Sequence, residues 1–131
     1  MIGLDTHVLV RYIAQDDPKQ SPKATGLIES LTTAAPGYVS VVAMVELVWV
    51  LAGCYGSTKN EICAVLEALL RTKELVVAEA DMVWQALRVF REGRADFADC
   101  LIERLANAAG CDHTATFDRD AARTCAMRLV E

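Results

Sequence analysis

No CxxC pair occurs among the five cysteines; Cys54, Cys63, Cys100, Cys111 and Cys125 are scattered along the chain. That absence removes zinc-ligand spacing, and an odd, dispersed set argues against a disulfide framework. Reduced, mostly buried thiols in a cytoplasmic protein are the expectation. No basic-then-apolar leader opens the chain, so nothing points to secretion. A membrane-length apolar run is also missing. Tyr38 to Cys54 is almost wholly apolar, yet it falls short of the roughly 20 residues a span needs, and Glu46 interrupts it. Positive charge is in deficit, with 18 acids against 13 bases and a net charge of -5. Binding nucleic acid through a broad basic face is thereby disfavoured. A local site where metal ions supply the positive charge stays open. Repeats, linkers and low-complexity tracts are absent as well.

What is present is an ordinary globular composition, 53% hydrophobic and 24% charged over 131 residues, which fits one domain spanning 1–131. Ile2-Gly3-Leu4 reads as a short first strand, followed by a helix from Thr6 to Ala14. Pro18 suits the first turn of a second helix that reaches Thr32. Tyr38-Val39 is a second strand, and Ser40 the N-cap of an apolar helix to Leu51. Thr58-Lys59-Asn60-Glu61 matches a capping box opening a helix through Leu70. Leu75 to Ala78 is a third strand, with a helix from Asp81 to Phe90 behind it. Phe97, Cys100, Leu101, Leu105 and Ala108 recur at helical spacing until Gly110 stops the pattern. Thr114 to Phe117 is a fourth strand, a short helix follows, and Met127 to Val130 is a candidate fifth. Short strands alternating with helices imply right-handed crossovers and a parallel sheet. The fold class is therefore α/β, a three-layer α/β/α sandwich around a mainly parallel sheet of four to five strands.

In such sheets ligands bind beyond the carboxyl ends of the strands. Asp5 and Asp118 each end a strand and precede a helix, which places both on one rim. Asp96 and Asp99 open another helix. Each of these acids also has a purely structural explanation, since carboxylates cap helices and favour the first turn; Glu79 and Asp81 are assigned to capping alone. Glu46 is different. Its neighbours are apolar on both sides, so its helix is expected to be buried all round, and a buried unpaired carboxylate is strongly unfavourable. It must protonate, pair with a base such as Arg11, or help bind a cation.

Together, Asp5, Glu46, Asp99 and Asp118 would repel one another if gathered. Two unit charges about 4 Å apart cost around 4 kcal/mol at an effective dielectric near 20. All-oxygen ligands with room for water fit Mg²⁺ or Mn²⁺ rather than zinc. Such ions turn bound water into a nucleophile and steady the charge on a phosphodiester.

These residues carry a family resemblance. Asp5-Thr6-His7-Val8-Leu9-Val10-Arg11, with Asp16-Asp17-Pro18 after it, resembles the DTN-V-L-V-R and DDP signature of PIN-domain ribonucleases, and more narrowly of the VapC toxins of toxin–antitoxin pairs. Val45-Glu46-Leu47-Val48-Trp49-Val50-Leu51 is similar to their ELVWVL helix. Ala95-Asp96-Phe97-Ala98-Asp99-Cys100-Leu101-Ile102 and Thr116-Phe117-Asp118 resemble two further motifs, all in the family's order. The resemblance implies that Asp5, Glu46 and Asp99 hold the metal, that Asp118 completes the site, and that Asp96 lies beside it. It implies Mg²⁺- or Mn²⁺-dependent cleavage of RNA, a cognate VapB-type antitoxin, a homodimer and no membrane association. His7 departs from the family's usual Asn, replacing an amide with a side-chain type that titrates near neutrality. Thr6, His7 and Thr116 are candidates for orienting the carboxylates, and capping explains the two threonines equally well. Arg91, Arg94, Arg119 and Arg123 are candidate phosphate contacts or solvated helix-end charges.

Two other functions compete with a nuclease. A non-catalytic PIN-like interaction module draws its support from His7 alone. A phosphatase or phosphotransfer domain is disfavoured because no Asp-x-Asp follows the first strand.

Overall fold

A computed structural model describes all 131 residues, Met1–Glu131. The chain forms two compact units, Met1–Ala78 and Glu79–Glu131. Together they contain seven helices and five strands, every strand pair being parallel.

In the first unit β1 (Ile2–Gly3), β2 (Gly37–Val39) and β3 (Leu75–Val77) form one sheet in that order. Ile2 pairs with Gly37, and Gly37 in turn with Leu75. The ladder runs one residue further at the carboxyl ends, where Leu4 N donates to Tyr38 O and Ala78 N donates to Val39 O, both at 2.9 Å. Asp5 and Ser40 therefore leave the sheet on the same rim. Gly37 sits against the core, and a Cβ there would come within 2.8 Å of Leu4 Cδ1 and 2.9 Å of Leu31 Cδ1.

Helices α1 (Thr6–Ala14) and α2 (Gln20–Glu29) join β1 to β2, while α3 (Val41–Gly53) and α4 (Lys59–Arg71) join β2 to β3. Their apolar residues recur every three or four positions, so each helix buries one stripe. Leu9 and Val10 of α1, Met44, Leu47, Val48 and Leu51 of α3, and Ile62, Leu66 and Leu69 of α4 make up most of this core. Ser40 caps α3 by accepting from Ala43 N at 3.1 Å. The capping box opens α4 as the spacing predicts: Thr58 Oγ1 accepts from Glu61 N, and Glu61 Oε1 accepts from Thr58 N at 2.8 Å.

In the second unit α5 (Ala80–Glu92) packs on α6 (Phe97–Ala108). The rings of Phe90 and Phe97 meet edge to face with centroids 5.9 Å apart. Strands β4 (Ala115–Thr116) and β5 (Arg128–Leu129) flank α7 (Arg119–Thr124) and pair with each other. Gly110, at φ +94, turns the chain after α6 as only glycine does freely.

Three details differ from the sequence reading. The five strands are all present, but they hydrogen-bond as a sheet of three and a separate pair. The regular part of α2 begins at Gln20, two residues past Pro18, which stands in a leading turn where Asp17 Oδ1 accepts from Lys19 N and Gln20 N and Asp17 O accepts from Ser21 N. Glu79 occupies the N-cap of α5 at φ +53, and its side chain makes no capping bond. Finally, no helix is long and apolar enough to cross a membrane.

The α4 cap gives a test. Thr58→Ala should destabilise the protein by about 1 kcal/mol in urea unfolding. The backbone N–H and the side chain of Thr58 hold the Glu61 carboxyl below its usual range. A depressed folded value means this contribution is complete above the unfolded pKa and is lost as pH falls through the folded one. Glu61→Gln should accordingly flatten the acid limb of the stability curve.

Candidate active site

The first unit carries Asp5, Thr6, His7 and Glu46. Asp5 ends the first strand in extended conformation, and its Oδ1 accepts from the N–H of Thr6, the next residue, at 2.9 Å. A typical N-cap reaches the second or third helical N–H, so Asp5 is only partly used by its helix. Thr6 is 3% exposed, and its hydroxyl donates to Glu46 Oε1 at 2.8 Å. One residue thus bonds to both carboxylates, through its N–H to Asp5 and through its hydroxyl to Glu46.

Glu46 corrects the expectation of a helix buried all round. It stands on an exposed face of α3 with Val42 and Trp49, which are 68% and 59% exposed. The reason is that Met44, Leu47, Val48 and Leu51 already supply a full buried stripe. Arg11 is not the partner of Glu46. Its guanidinium bonds Gln20 Oε1 at 2.7 Å and Tyr55 Oη at 3.4 Å, and lies 3.6 Å from Asp16. His7 is exposed and borders two clefts, one of about 280 Å³ shared with Arg11, Gln20 and Lys23, the other of about 340 Å³ shared with Arg11 and Tyr55.

The second unit carries Asp96, Asp99, Thr116 and Asp118. Asp96 caps α6, its Oδ1 accepting from Asp99 N at 2.9 Å. Asp118 caps α7, its Oδ1 accepting from Ala121 N at 2.9 Å, while Thr116 Oγ1 accepts from Asp118 N at 3.0 Å. The capping role is therefore real for both aspartates. Asp99 is half-buried, and its carboxyl is held above the ordinary range. Burial is the main cause, followed by the charge and hydrogen bond of Asp96 and then the charge of Asp118. Three acids near enough to disturb one another are thus gathered within this unit.

Glu103, one turn beyond Asp99 on α6, escaped the sequence reading. Its spacing of four from Asp99 was the available signal. Arg104 holds it through two hydrogen bonds of 2.6 and 3.0 Å. Of the four candidate phosphate contacts, Arg119 and Arg123 line a cleft of about 390 Å³ with Ala122 and Leu129.

No group of three or more His, Cys, Asp or Glu side chains is drawn closely enough together to hold a metal ion. Within each unit taken by itself, the donor chemistry is nevertheless of the kind such an ion prefers. Asp5, Glu46 and Asp118 each commit one carboxylate oxygen to a hydrogen bond within the protein, and the second oxygen of each is a hard donor of the kind Mg²⁺ and Mn²⁺ prefer.

Against known families, residues 2–127 match the model described as PIN domain. No curated protein matches the chain. Among solved structures, the crystal structure of FitAcB from Neisseria gonorrhoeae matches at 18% identity. The match covers 100% of this chain and 97% of that one, with a TM-score of 0.38.

The hydroxyl bridge can be measured by itself. A double-mutant cycle on Thr6→Val and Glu46→Ala should return a coupling of about 1 kcal/mol in chemical unfolding, the usual net worth of one such bond. A coupling of zero would mean that Thr6 does not position Glu46.

Proposed function

The chain belongs to the PIN domain family, and on that premise we propose that it is a metal-dependent endoribonuclease, the toxin of a VapBC-type pair acting in the cytoplasm. Asp5, Glu46 and Asp99 would hold Mg²⁺ or Mn²⁺, with Asp118 completing the set and Asp96 beside it. The observation that carries this reading is the family match over nearly the whole chain. The aspartates support it through their positions at helix starts and through the raised pKa of Asp99, and Glu46 through its bond from the Thr6 hydroxyl.

When bound, the ion lowers the pKa of a coordinated water and stabilises charge on a phosphodiester. The protein's own side chains do the rest. Thr6 fixes the rotamer of Glu46 from a buried position while leaving its charge intact. Asp96 holds the first turn of α6 by its backbone bond to Asp99, and Thr116 holds the backbone from which Asp118 projects. Arg119 and Arg123, exposed beside Asp118, supply positive charge for a phosphate backbone that the net charge of -5 would otherwise repel. The proposed partners are an RNA substrate, a VapB-type antitoxin and a second copy of the chain, all within one domain spanning 1–131.

RNA cleavage assays with Mg²⁺ or Mn²⁺ test the reading. EDTA should abolish activity, and Asp5→Asn, Glu46→Gln or Asp99→Asn should each lower it by about 100-fold or more, as loss of a charge-stabilising group does. Equal activity in all these conditions would sink the proposal. Absence of Mg²⁺ binding by calorimetry at millimolar metal would favour a non-catalytic interaction module, and release of phosphate from small phosphoesters a phosphatase.

A further inference from the structure

The carboxylate site uses none of the five cysteines, yet two of them meet inside the second unit. Cys100 on α6 and Cys125 at the end of α7 are both buried and both free. The thiol of Cys125 donates to Cys100 Sγ at 3.5 Å. The other three are placed differently: Cys54 and Cys111 are exposed, and Cys63 is buried in the first unit.

Backbone on both sides fixes this pair. Arg94 N, in the loop ahead of α6, donates to Thr124 Oγ1 at 3.3 Å. A Cβ at Gly93 would lie 1.9 Å from Thr124 Cγ2, so that loop passes the end of α7 with room only for glycine. Ala126, just after Cys125, is held at φ +57, a left-handed conformation that a non-glycine residue adopts at a cost. Tertiary packing therefore sets this turn, and with it the place of the Cys125 sulfur. Buried cysteines often serve only as small apolar side chains. Two sulfurs in contact on separately anchored elements can also do chemistry.

We propose that Cys100 and Cys125 are an oxidisable dithiol, closed to a disulfide by a hydroperoxide and reopened by a thiol reductant. Hydrogen peroxide converts one thiol to a sulfenic acid and releases one water. The second sulfur then attacks the first, the S–S bond forms, the S–O bond breaks, and the hydroxyl leaves with the second thiol's proton as another water. Burial limits access, so closure is slow. The sulfurs approach from 3.5 Å to about 2.05 Å. Cys100 follows Asp99 directly, so this contraction is transmitted to the carboxylate next to it. A displacement of about 1 Å at a catalytic group costs on the order of 100-fold in rate. The bond is independent of the nuclease reading; its effect on cleavage rests on that reading.

The test takes the reduced full-length chain, blocks Cys54 and Cys111 with a maleimide under native conditions, and exposes the protein to hydrogen peroxide. Peptide mass mapping should find a Cys100–Cys125 cross-link with the loss of two hydrogens, reversed by dithiothreitol and absent in Cys100→Ala and Cys125→Ala. Separate sulfinic acids at the two positions, pairing with Cys63, or unreacted thiols in a folded chain would overturn the proposal. Should either alanine variant fail to fold, the cross-link map of the native chain decides alone. RNA cleavage should fall about 100-fold on closure and recover on reduction. Unchanged cleavage by the closed protein would overturn the control role. A chain inactive in both states would count against the nuclease reading and leave the bond to its mass.

Discussion

Free N–H groups at the start of a helix demand an acceptor, and this requirement governs where the acids of the chain stand. Asp5, Asp96 and Asp118 each sit in extended conformation immediately before a helix and give an oxygen to its first turn. Ser40 and Thr58 meet the same demand with hydroxyls. Because the strands are parallel, the helix that follows a strand begins at its carboxyl end, which is where an open sheet binds its ligands. At Asp5 and Asp118, each at the carboxyl end of a strand in its own sheet, one local requirement of the backbone thus yields both a stable helix and an acid at that sheet's edge.

The same arrangement sets charge against charge. A helix start offers an anion about 0.3–1 kcal/mol. A second anion about 4 Å away opposes it by around 4 kcal/mol at an effective dielectric of 20. Repulsion wins wherever carboxylates crowd and nothing compensates them. At Asp99 the balance is visible. It occupies a favourable first-turn position, yet burial together with the charges of Asp96 and Asp118 holds its carboxyl above the usual range. Glu61, in the same position of α4 with only Thr58 as partner, shifts the opposite way. The two share a position and differ in partners: Thr58 donates its N–H to the Glu61 carboxyl, whereas Asp99 meets burial and two neighbouring acids.

Local signals made the elements legible. The capping box at Thr58, the Ser40 cap, the 3.6-residue stripe of α6 and the stop at Gly110 all depend on residues near each other in the chain, and the sequence displays such neighbours directly. What it hid was non-local. The strands' division into three and two depends on which ladders form between distant segments. Exposure of Glu46 depends on how much of α3 its neighbours cover; an apolar composition suggested burial on every side, whereas Val42 and Trp49 remain open beside it. The contact of Cys100 with Cys125 spans 25 positions and has no local signature. The candidate acids themselves were readable because each stands at a motif.

Capping alone does not account for the choice of carboxylates. Asparagine and serine cap helices about as well as aspartate, and either would do so without the repulsion felt at Asp99. The treatment of Glu46 points the same way. An arginine partner would have neutralised it, and Arg11 is near in sequence to its neighbour Thr6, but Arg11 is engaged with Gln20, Asp16 and Tyr55. A neutral hydroxyl holds Glu46 instead. It sets the position of the carboxylate and leaves the negative charge uncancelled. Glu46 is thereby oriented by a neutral, buried partner while its carboxylate stays open to solvent on α3.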